Sequence, residues 1–227
     1  GVLYRAGHTE AGWDLATLAG ASPASVICEI LNDDGSMARL PDLLKFSKKH
    51  EIKIGTIADL IEYRSKKEKL IKRISEEKVN TEFGMMKLIV YSDLLSKNTH
   101  LAFVKGEIEK DDEVVVRVHE PLSILDFVSK ETPHSWPPLK ALKKISNEKN
   151  GVVIFLNYNE SQNNITSKLN HENITLKKST DLRSYGIGSQ ILVDIGISKM
   201  KLLAAPRKMP SMIGYGLQVT EFIENDI

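Results

Sequence analysis

The sequence predicts a protein of mixed α/β and α+β class in two parts, and three features predict it. Helix signals dominate residues 1–64, strand signals dominate from Phe83 onward, and a highly charged run lies between them. The 227 residues are enough for one large domain or two modest ones, each with its own core. We therefore place a first domain at residues 1–64, a charged helical linker at residues 65–85 and a second domain at residues 86–227.

The first part is predicted from its caps and its apolar runs. Residues 2–4 are apolar and predict the end of a strand, and because the chain does not begin with Met we expect a fragment of a longer protein. Thr9 is a suitable N-cap for a helix that ends before Gly20. The apolar run at residues 26–31, which carries Glu29, predicts a buried strand.

Two further helices and a charged segment follow. Apolar spacing predicts a helix over residues 41–50, and the capping-box pattern from Thr56 to Asp59 predicts the start of another. We expect that second helix to continue to Lys78 through a run rich in Lys, Arg and Glu. Such a run either binds phosphate or forms a solvated helix face with i,i+4 ion pairs, and we take it as a solvated linker.

The second part is predicted to be a mixed sheet with covering helices. Apolar and β-branched runs predict strands at residues 87–91, 101–104, 113–119, 152–156, 188–193 and 200–203. Apolar spacing predicts a helix at residues 139–145. The Asn- and Ser-rich stretch at residues 157–173 predicts a loop or a weak helix.

The composition is that of an ordinary globular protein, with 41% apolar and 27% charged residues. The formal net charge of +1 gives no strong attraction to nucleic acid or to an anionic membrane surface. No stretch approaches about 18 uninterrupted apolar residues, so no transmembrane helix is predicted. The single cysteine, Cys28, excludes a disulfide within the chain and a zinc site made only of its cysteines. Together these features predict a cytoplasmic protein.

The residues between the first strand and the first helix could bind an anion. Arg5 can grip phosphate, Gly7 lets a ligand approach the backbone, and His8 places an imidazole beside it at a helix N-terminus. Glu29 supplies a candidate general acid or base. The alternative is structural, with His8 near the helix cap and Glu29 as a surface charge on an edge strand.

Residues 1–64 closely resemble 3,4-dihydroxy-2-butanone 4-phosphate synthase of riboflavin biosynthesis. The resemblance is carried by GVLYRAGHTEA at residues 1–11, Asp14-Leu15, ICEI at 27–30, DGSMAR at 34–39, PDL at 41–43, TIADL at 56–60 and YR at 63–64. It implies a layered α/β domain, a homodimer, and Mg²⁺- or Mn²⁺-dependent conversion of ribulose 5-phosphate into the four-carbon phosphate and formate.

The same resemblance implies roles for particular residues. The implied substrate contacts are Arg5, Ala6, Gly7, His8, Thr9 and Glu29. His8 is implied to act in catalysis and to ligate the metal, and Glu29 is the implied catalytic carboxylate. In the family an acidic loop that supplies the other metal carboxylate precedes this segment, so we expect the chain alone to be inactive. A hard cation that binds the substrate's oxygens can stabilise an enediolate.

Residues 86–227 are similar to GTP cyclohydrolase II, a usual fusion partner of the synthase. The similarity is carried by RVHE at residues 117–120, DLRSYGIGSQIL at 181–192, MKLL at 200–203 and GYGL at 214–217. It implies that Asp181 is the general base, that Arg183 is the nucleophile and that Lys208 contacts GTP. Arg117, His119 and Glu120 correspond to the start of the GTP site.

The second part departs from this family at its metal site. The family needs three cysteine thiolates on zinc, and the corresponding region, residues 121–138, contains no cysteine. His119 and His134 could ligate zinc, but two imidazoles do not replace a three-thiolate site, so we expect zinc to be absent. The family's substrate loop and its Thr-Asn-Asn-Pro element are also replaced, at residues 157–160 and 204–206.

Three hypotheses follow for the function. The first is a 3,4-dihydroxy-2-butanone 4-phosphate synthase whose cyclohydrolase-like domain is degenerate, with Asp181 and Arg183 kept as a structural ion pair. The second makes the C-terminal domain a module that binds GTP or another nucleotide, or one that stabilises a homodimer. The third is an active GTP cyclohydrolase II with a rebuilt metal site.

Overall fold

The computed structural model of the chain describes residues 1–94, 96–120, 123, 125–128, 136–157 and 179–225. The helices are α1 (His8–Leu18), α2 (Leu40–His50), α3 (Ile57–Ser65), α4 (Leu125–Val128), α5 (Pro138–Ser146), α6 (Ser179–Ile195) and a 3₁₀ helix at Pro210–Tyr215. The strands are β1 (Ile71–Thr81), β2 (Gly84–Asp93), β3 (Thr99–Lys105), β4 (Glu113–His119), β5 (Gly151–Phe155), β6 (Lys199–Leu203) and β7 (Gln218–Ile223). The predicted mixed class is confirmed.

These strands form one seven-stranded sheet in the order β1-β2-β3-β5-β4-β6-β7. The pairs β1–β2, β2–β3 and β3–β5 are antiparallel. The pairs β5–β4, β4–β6 and β6–β7 are parallel. Every residue of β5 is buried, which places this strand at the centre of the sheet. Because β4 and β6 are parallel neighbours, the segments that follow them lie at the same edge of the sheet.

Both faces of the sheet are covered. On one face α5 packs through Ala141, Leu142 and Ile145 into a smaller core that also holds Trp136. The larger core lies on the other face, under α6, the 3₁₀ helix and the N-terminal residues of the chain. Both parts of the chain therefore contribute to one core. Within the described ranges, no helix is both long and apolar enough to cross a bilayer.

The helical linker predicted at residues 65–85 is wrong in its secondary structure. Helix α3 ends at Ser65, and β1 then pairs with β2 across a turn at Gly84. Most side chains of β1, an edge strand, are exposed to solvent, which agrees with its charged composition. Gln190 fixes the junction, since its side chain accepts from the Leu70 N–H at 2.7 Å and donates to the Glu68 carbonyl at 3.1 Å.

Three predicted strands also differ from the structure. Residues 188–193 belong to α6, because Ile187 and Ile191 are buried one helical turn apart while Val193 faces solvent. Residues 26–31 are extended but exposed, and in the described chain they make only the isolated bridge between Leu31 and Met37. Residues 2–4, predicted as the end of a strand, form a turn instead, because the N–H groups of Tyr4 and Arg5 donate to the Gly1 carbonyl. The remaining predicted strands and the helix over residues 139–145 are confirmed within a few residues.

Candidate functional site

The loop before α1 leads directly into the helix that carries the predicted imidazole. Gly7 is the N-cap, its backbone is extended, and no side chain caps the helix. The prediction that Thr9 is the N-cap is wrong: the helix already begins at His8, and Thr9 lies in its first turn. The uncapped N–H groups of this turn suit an anionic ligand.

Arg5 is not free in this loop. Its Nη1 donates to Oε1 of Glu10 at 2.8 Å, in an ion pair whose arginine side chain is half exposed. Burial raises the pKa of Glu10, but the hydrogen bond and the charge of Arg5 outweigh burial and leave that pKa below its usual value. A phosphate at Arg5 would therefore compete with Glu10 for the guanidinium group.

A cleft of about 1050 Å³ brings the predicted catalytic residues together. One wall is a single face of α1, formed by His8, Ala11, Gly12 and Leu15 at helical spacing. The opposite walls are residues 26–29, which end in Glu29, and residues 55–60 at the start of α3. Ala6 also lines this cleft, whereas Arg5, Gly7 and Thr9 lie outside its walls.

The approach of Glu29 to α1 depends on a small residue in that helix. A Cβ on Gly12 would overlap the hydroxyl of Ser25 and lie 3.6 Å from Cγ2 of Ile27. Gly12 thus lets the extended segment that ends in Glu29 lie against the face of α1 that carries His8. Glu29 itself is exposed to solvent.

Sequence reasoning missed part of the cleft wall. Thr56 and Asp59 form the predicted capping box, with hydrogen bonds of 3.1 and 3.2 Å, and both also line the cleft. Cys28 lines it too and is a free, exposed thiol. The capping box of Thr56 and Asp59 and the predicted strand with Cys28 could both be recognised in the sequence. No local sequence signal indicated that these residues lie beside His8.

The start of the implied GTP site, formed by Arg117, His119 and Glu120, lies at the carboxyl end of β4, one of the parallel strands. Arg117 is buried near the end of β4, where its Nη1 donates to the Leu203 carbonyl of β6 at 2.8 Å. Burial and the nearby positive charge of Arg207 lower the pKa of Arg117 to about 10. Among the described residues, its buried Nε has no hydrogen-bond partner.

A buried histidine–aspartate pair follows β4. Nε2 of His119 lies 2.9 Å from Oδ2 of Asp126, which also accepts the Ser123 N–H at 2.9 Å. Glu120 is half-buried and Lys208 is exposed. The side chains of Asp181 and Arg183, and all of His134, lie outside the described residues. Across the described ranges, no group of three or more His, Cys, Asp or Glu residues could hold a metal ion.

Comparisons with known proteins find a family match for each part of the chain. Residues 1–63 match the family described as 3,4-dihydroxy-2-butanone 4-phosphate synthase, and residues 72–224 match GTP cyclohydrolase II. A relative named 3,4-dihydroxy-2-butanone 4-phosphate synthase, from Neisseria meningitidis serogroup B, is 48% identical over 99% of this chain and 62% of its own length.

Two further comparisons agree. The riboflavin biosynthesis protein RibBA of Aquifex aeolicus is 43% identical over 97% of this chain and 58% of its own length. The crystal structure of RibBX, described as a two-domain 3,4-dihydroxy-2-butanone 4-phosphate synthase from A. baumannii, is 39% identical with a TM-score of 0.59, over 99% of this chain and 61% of its own. The chain thus spans about three fifths of the length of these relatives. The segment before the cyclohydrolase match, residues 1–63, matches the 3,4-dihydroxy-2-butanone 4-phosphate synthase family. Since the cyclohydrolase match covers more than half of the chain, the chain belongs to the GTP cyclohydrolase II family.

Proposed function

We propose that this chain is part of a riboflavin-biosynthesis protein that converts ribulose 5-phosphate into 3,4-dihydroxy-2-butanone 4-phosphate and formate. The observation that carries the proposal is the shared cleft of His8 and Glu29, which come from different segments of the synthase-like part. The names of the relatives support the same reaction class. A homodimer is part of the proposal, by analogy with the synthase family.

The proposed roles follow from the chemistry of each side chain. The uncapped first turn of α1 and the guanidinium of Arg5 bind the phosphate, with Arg5 leaving Glu10 when the substrate arrives. Glu29 accepts and returns protons at the sugar carbons, because an exposed carboxylate at a cleft wall can reach a bound substrate. Ala6 lines the cleft, and Gly7 and Thr9 flank His8 at the start of α1, so all three belong to the proposed contact surface.

Mg²⁺ or Mn²⁺ is the proposed cofactor, and His8 is the ligand that this chain offers. Mg²⁺ prefers six oxygen ligands, so one imidazole and a neighbouring carboxylate make only part of such a site. The described residues contain no complete cluster of ligands. When bound, the metal would polarise the keto and hydroxyl oxygens of the sugar, and the roles given above do not depend on its position.

For the cyclohydrolase-like part we propose that cyclohydrolase chemistry is lost. With Cys28 as its single cysteine, the chain cannot supply three thiolates to zinc. The His119–Asp126 pair supports the proposal. His119 lies beside the family's first cysteine position, and its imidazole is hydrogen-bonded to a carboxylate. Arg117 likewise donates one hydrogen bond to the Leu203 carbonyl of the protein itself. Without the metal there is no activated water to open the imidazole ring of GTP.

Nucleotide binding without turnover is a second candidate for this part. It is favoured by the buried Arg117, whose Nε is unsatisfied among the described residues, and by the second positive charge of Arg207 close to it. A bound triphosphate would stabilise the folded state by mass action. GTP would then raise the thermal midpoint without being consumed, whereas a purely structural domain would show no change.

Formate release tests both parts, since both reactions produce formate. The intact protein that contains this chain is assayed with ribulose 5-phosphate and separately with GTP, with Mg²⁺ and Zn²⁺ supplied. We expect formate from the sugar phosphate only. Glu29→Gln should lower kcat by about a hundredfold or more, the usual scale of a lost general base. Glu62→Gln is the matched control, because Glu62 pairs with Lys66 on the surface and does not line the cleft.

A further inference from the structure

The two parts of the chain meet at Val2 and Leu3, just before the proposed substrate loop. Both side chains are almost fully buried, at 2% and 1% exposure. They belong to the larger core, together with Ile187 of α6 and with Met212 of the 3₁₀ helix. Residues of the synthase-like part are thus packed against helices of the cyclohydrolase-like part.

The backbone of Leu3 is held from the cyclohydrolase side by two residues. The hydroxyl of Tyr215 donates to the Leu3 carbonyl at 3.2 Å. Burial raises the pKa of Tyr215, so its hydroxyl keeps its proton at ordinary pH. Gly186 of α6 lies so close that a Cβ there would overlap the Leu3 carbonyl oxygen. We call Gly186 and Tyr215 the Leu3 clamp.

The same segment is held from the synthase side by α1. The Val2 N–H donates to Oδ2 of Asp14 at 2.6 Å. The N–H groups of Tyr4 and Arg5 donate to the Gly1 carbonyl at 3.0 and 3.2 Å, which folds residues 1–5 into a compact turn. A displacement of Leu3 therefore moves both Arg5 and the helix that begins at His8.

We propose that the cyclohydrolase-like part acts as a positioning element for the synthase site, and that the Leu3 clamp sets the place of the substrate loop. The inference rests on the proposed synthase function and adds to it a role for Gly186 and Tyr215. A domain that has lost its own chemistry thereby stays necessary for the chemistry of its neighbour. Small displacements of binding groups suffice to lower rates strongly.

Helix α6 supplies a matched pair of variants. Gly186→Ala adds a methyl group against the Leu3 carbonyl, whereas Gly188→Ala adds one 3.4 Å from Cγ1 of Val118, an ordinary van der Waals contact. Both changes give the helix the same gain in propensity. A difference between them therefore reports the contact with Leu3. Tyr215→Phe removes the donated hydrogen bond and keeps the ring, so it provides an independent second variant.

Two readouts separate the clamp from the proposed reaction. The chain has two tryptophans, Trp13 on α1 and Trp136 in the smaller core. In protein labelled with 5-fluorotryptophan, ¹⁹F NMR follows each side of the junction without any need for activity. In the intact protein, kcat and KM for formate release from ribulose 5-phosphate report the site.

We expect Gly186→Ala to shift the Trp13 resonance, to leave that of Trp136 unchanged and to lower kcat/KM by about tenfold or more, mainly through KM. Gly188→Ala should behave like the wild type, and Tyr215→Phe should lie between the two. The proposal is overturned if both glycine variants give the same Trp13 resonance, or if Trp13 moves while kcat/KM stays unchanged. If wild type releases no formate while Trp13 still moves, the synthase function fails and the contact at Leu3 stands.

Discussion

Nη1 of Arg64 on α3 lies 2.6 Å from Oδ2 of Asp14 on α1, in an ion pair whose carboxylate is fully buried. Arg64 also contacts Glu68, and these carboxylates together raise the pKa of Arg64. The same Oδ2 of Asp14 accepts the N–H of Val2. One buried carboxylate thus connects the N-terminal turn, the helix with His8 and the helix whose first turn lines the cleft.

Asp14→Asn tests this connection. The substitution keeps the size of the side chain but leaves Arg64, within the described part of the chain, with Glu68 as its only charged partner. We expect it to lower the free energy of unfolding by about 2–3 kcal/mol, near the lower limit for breaking a buried ion pair because Glu68 remains. Urea unfolding followed by circular dichroism measures the change. Glu62→Gln, which breaks an exposed i,i+4 pair with Lys66, should cost less than about 0.5 kcal/mol.

Tyr91→Phe tests the contact between the antiparallel hairpin and α6. The Tyr91 hydroxyl donates to Oδ2 of Asp194 at 2.7 Å, and Arg73 binds the same carboxylate at 2.8 Å. The ring is fully buried, so Phe preserves the packing and removes only the hydrogen bond. We expect a loss of about 1–2 kcal/mol in unfolding free energy. Equal effects of Tyr91→Phe and of Tyr63→Phe, whose half-exposed hydroxyl contacts Lys67, would contradict this role.

Sequence signals predicted the helices and strands that are determined by their own residues. The capping box of Thr56 and Asp59 marks the start of α3, and the valine-rich run of β4 matches its observed bounds. Residues 188–193 of α6 were predicted as a strand because their apolar and β-branched run is also typical of a buried strand. The reason for Gly186 is tertiary, since it admits the Leu3 backbone, and no sequence pattern near α6 contains that information.

The candidate site shows the same division. His8 and Glu29 were predicted from a resemblance, and the structure places both at one cleft. The ion pair of Arg5 with Glu10 joins two residues only five positions apart and was accessible to local reasoning. The role of Gly12 was not, because it depends on where the segment at Ser25 crosses α1.

Glu10→Gln tests whether Glu10 competes with the substrate for Arg5. The change removes a charged partner that is 2.8 Å from the guanidinium, so Arg5 should be more available for phosphate. We expect KM for ribulose 5-phosphate to fall by about two- to fivefold, the scale of an ion pair worth at most about 1 kcal/mol, with kcat little changed. Steady-state formate release in the intact protein measures it. A raised KM would show instead that Glu10 holds Arg5 in its binding position.

His100 makes the stability of the fold dependent on pH. The side chain is fully buried on β3, and its Nδ1 accepts the Asn157 N–H at 3.2 Å. Burial lowers the pKa of His100 to about 4, although the charge of Asp93 acts in the opposite direction. The imidazole is therefore neutral in the folded state at pH 7.

The sign of the effect follows from proton uptake. Between about pH 6.5 and 4 the unfolded chain binds a proton at His100 and the folded chain does not, so stability falls as the pH is lowered through this window. We expect a loss of order 2–3 kcal/mol from this group, measured by urea unfolding at several pH values. His100→Gln should flatten the dependence of the unfolding free energy on pH. The altered packing should also lower that free energy by a similar amount at every pH. A curve whose shape is the same in His100→Gln and in the wild type would contradict this assignment.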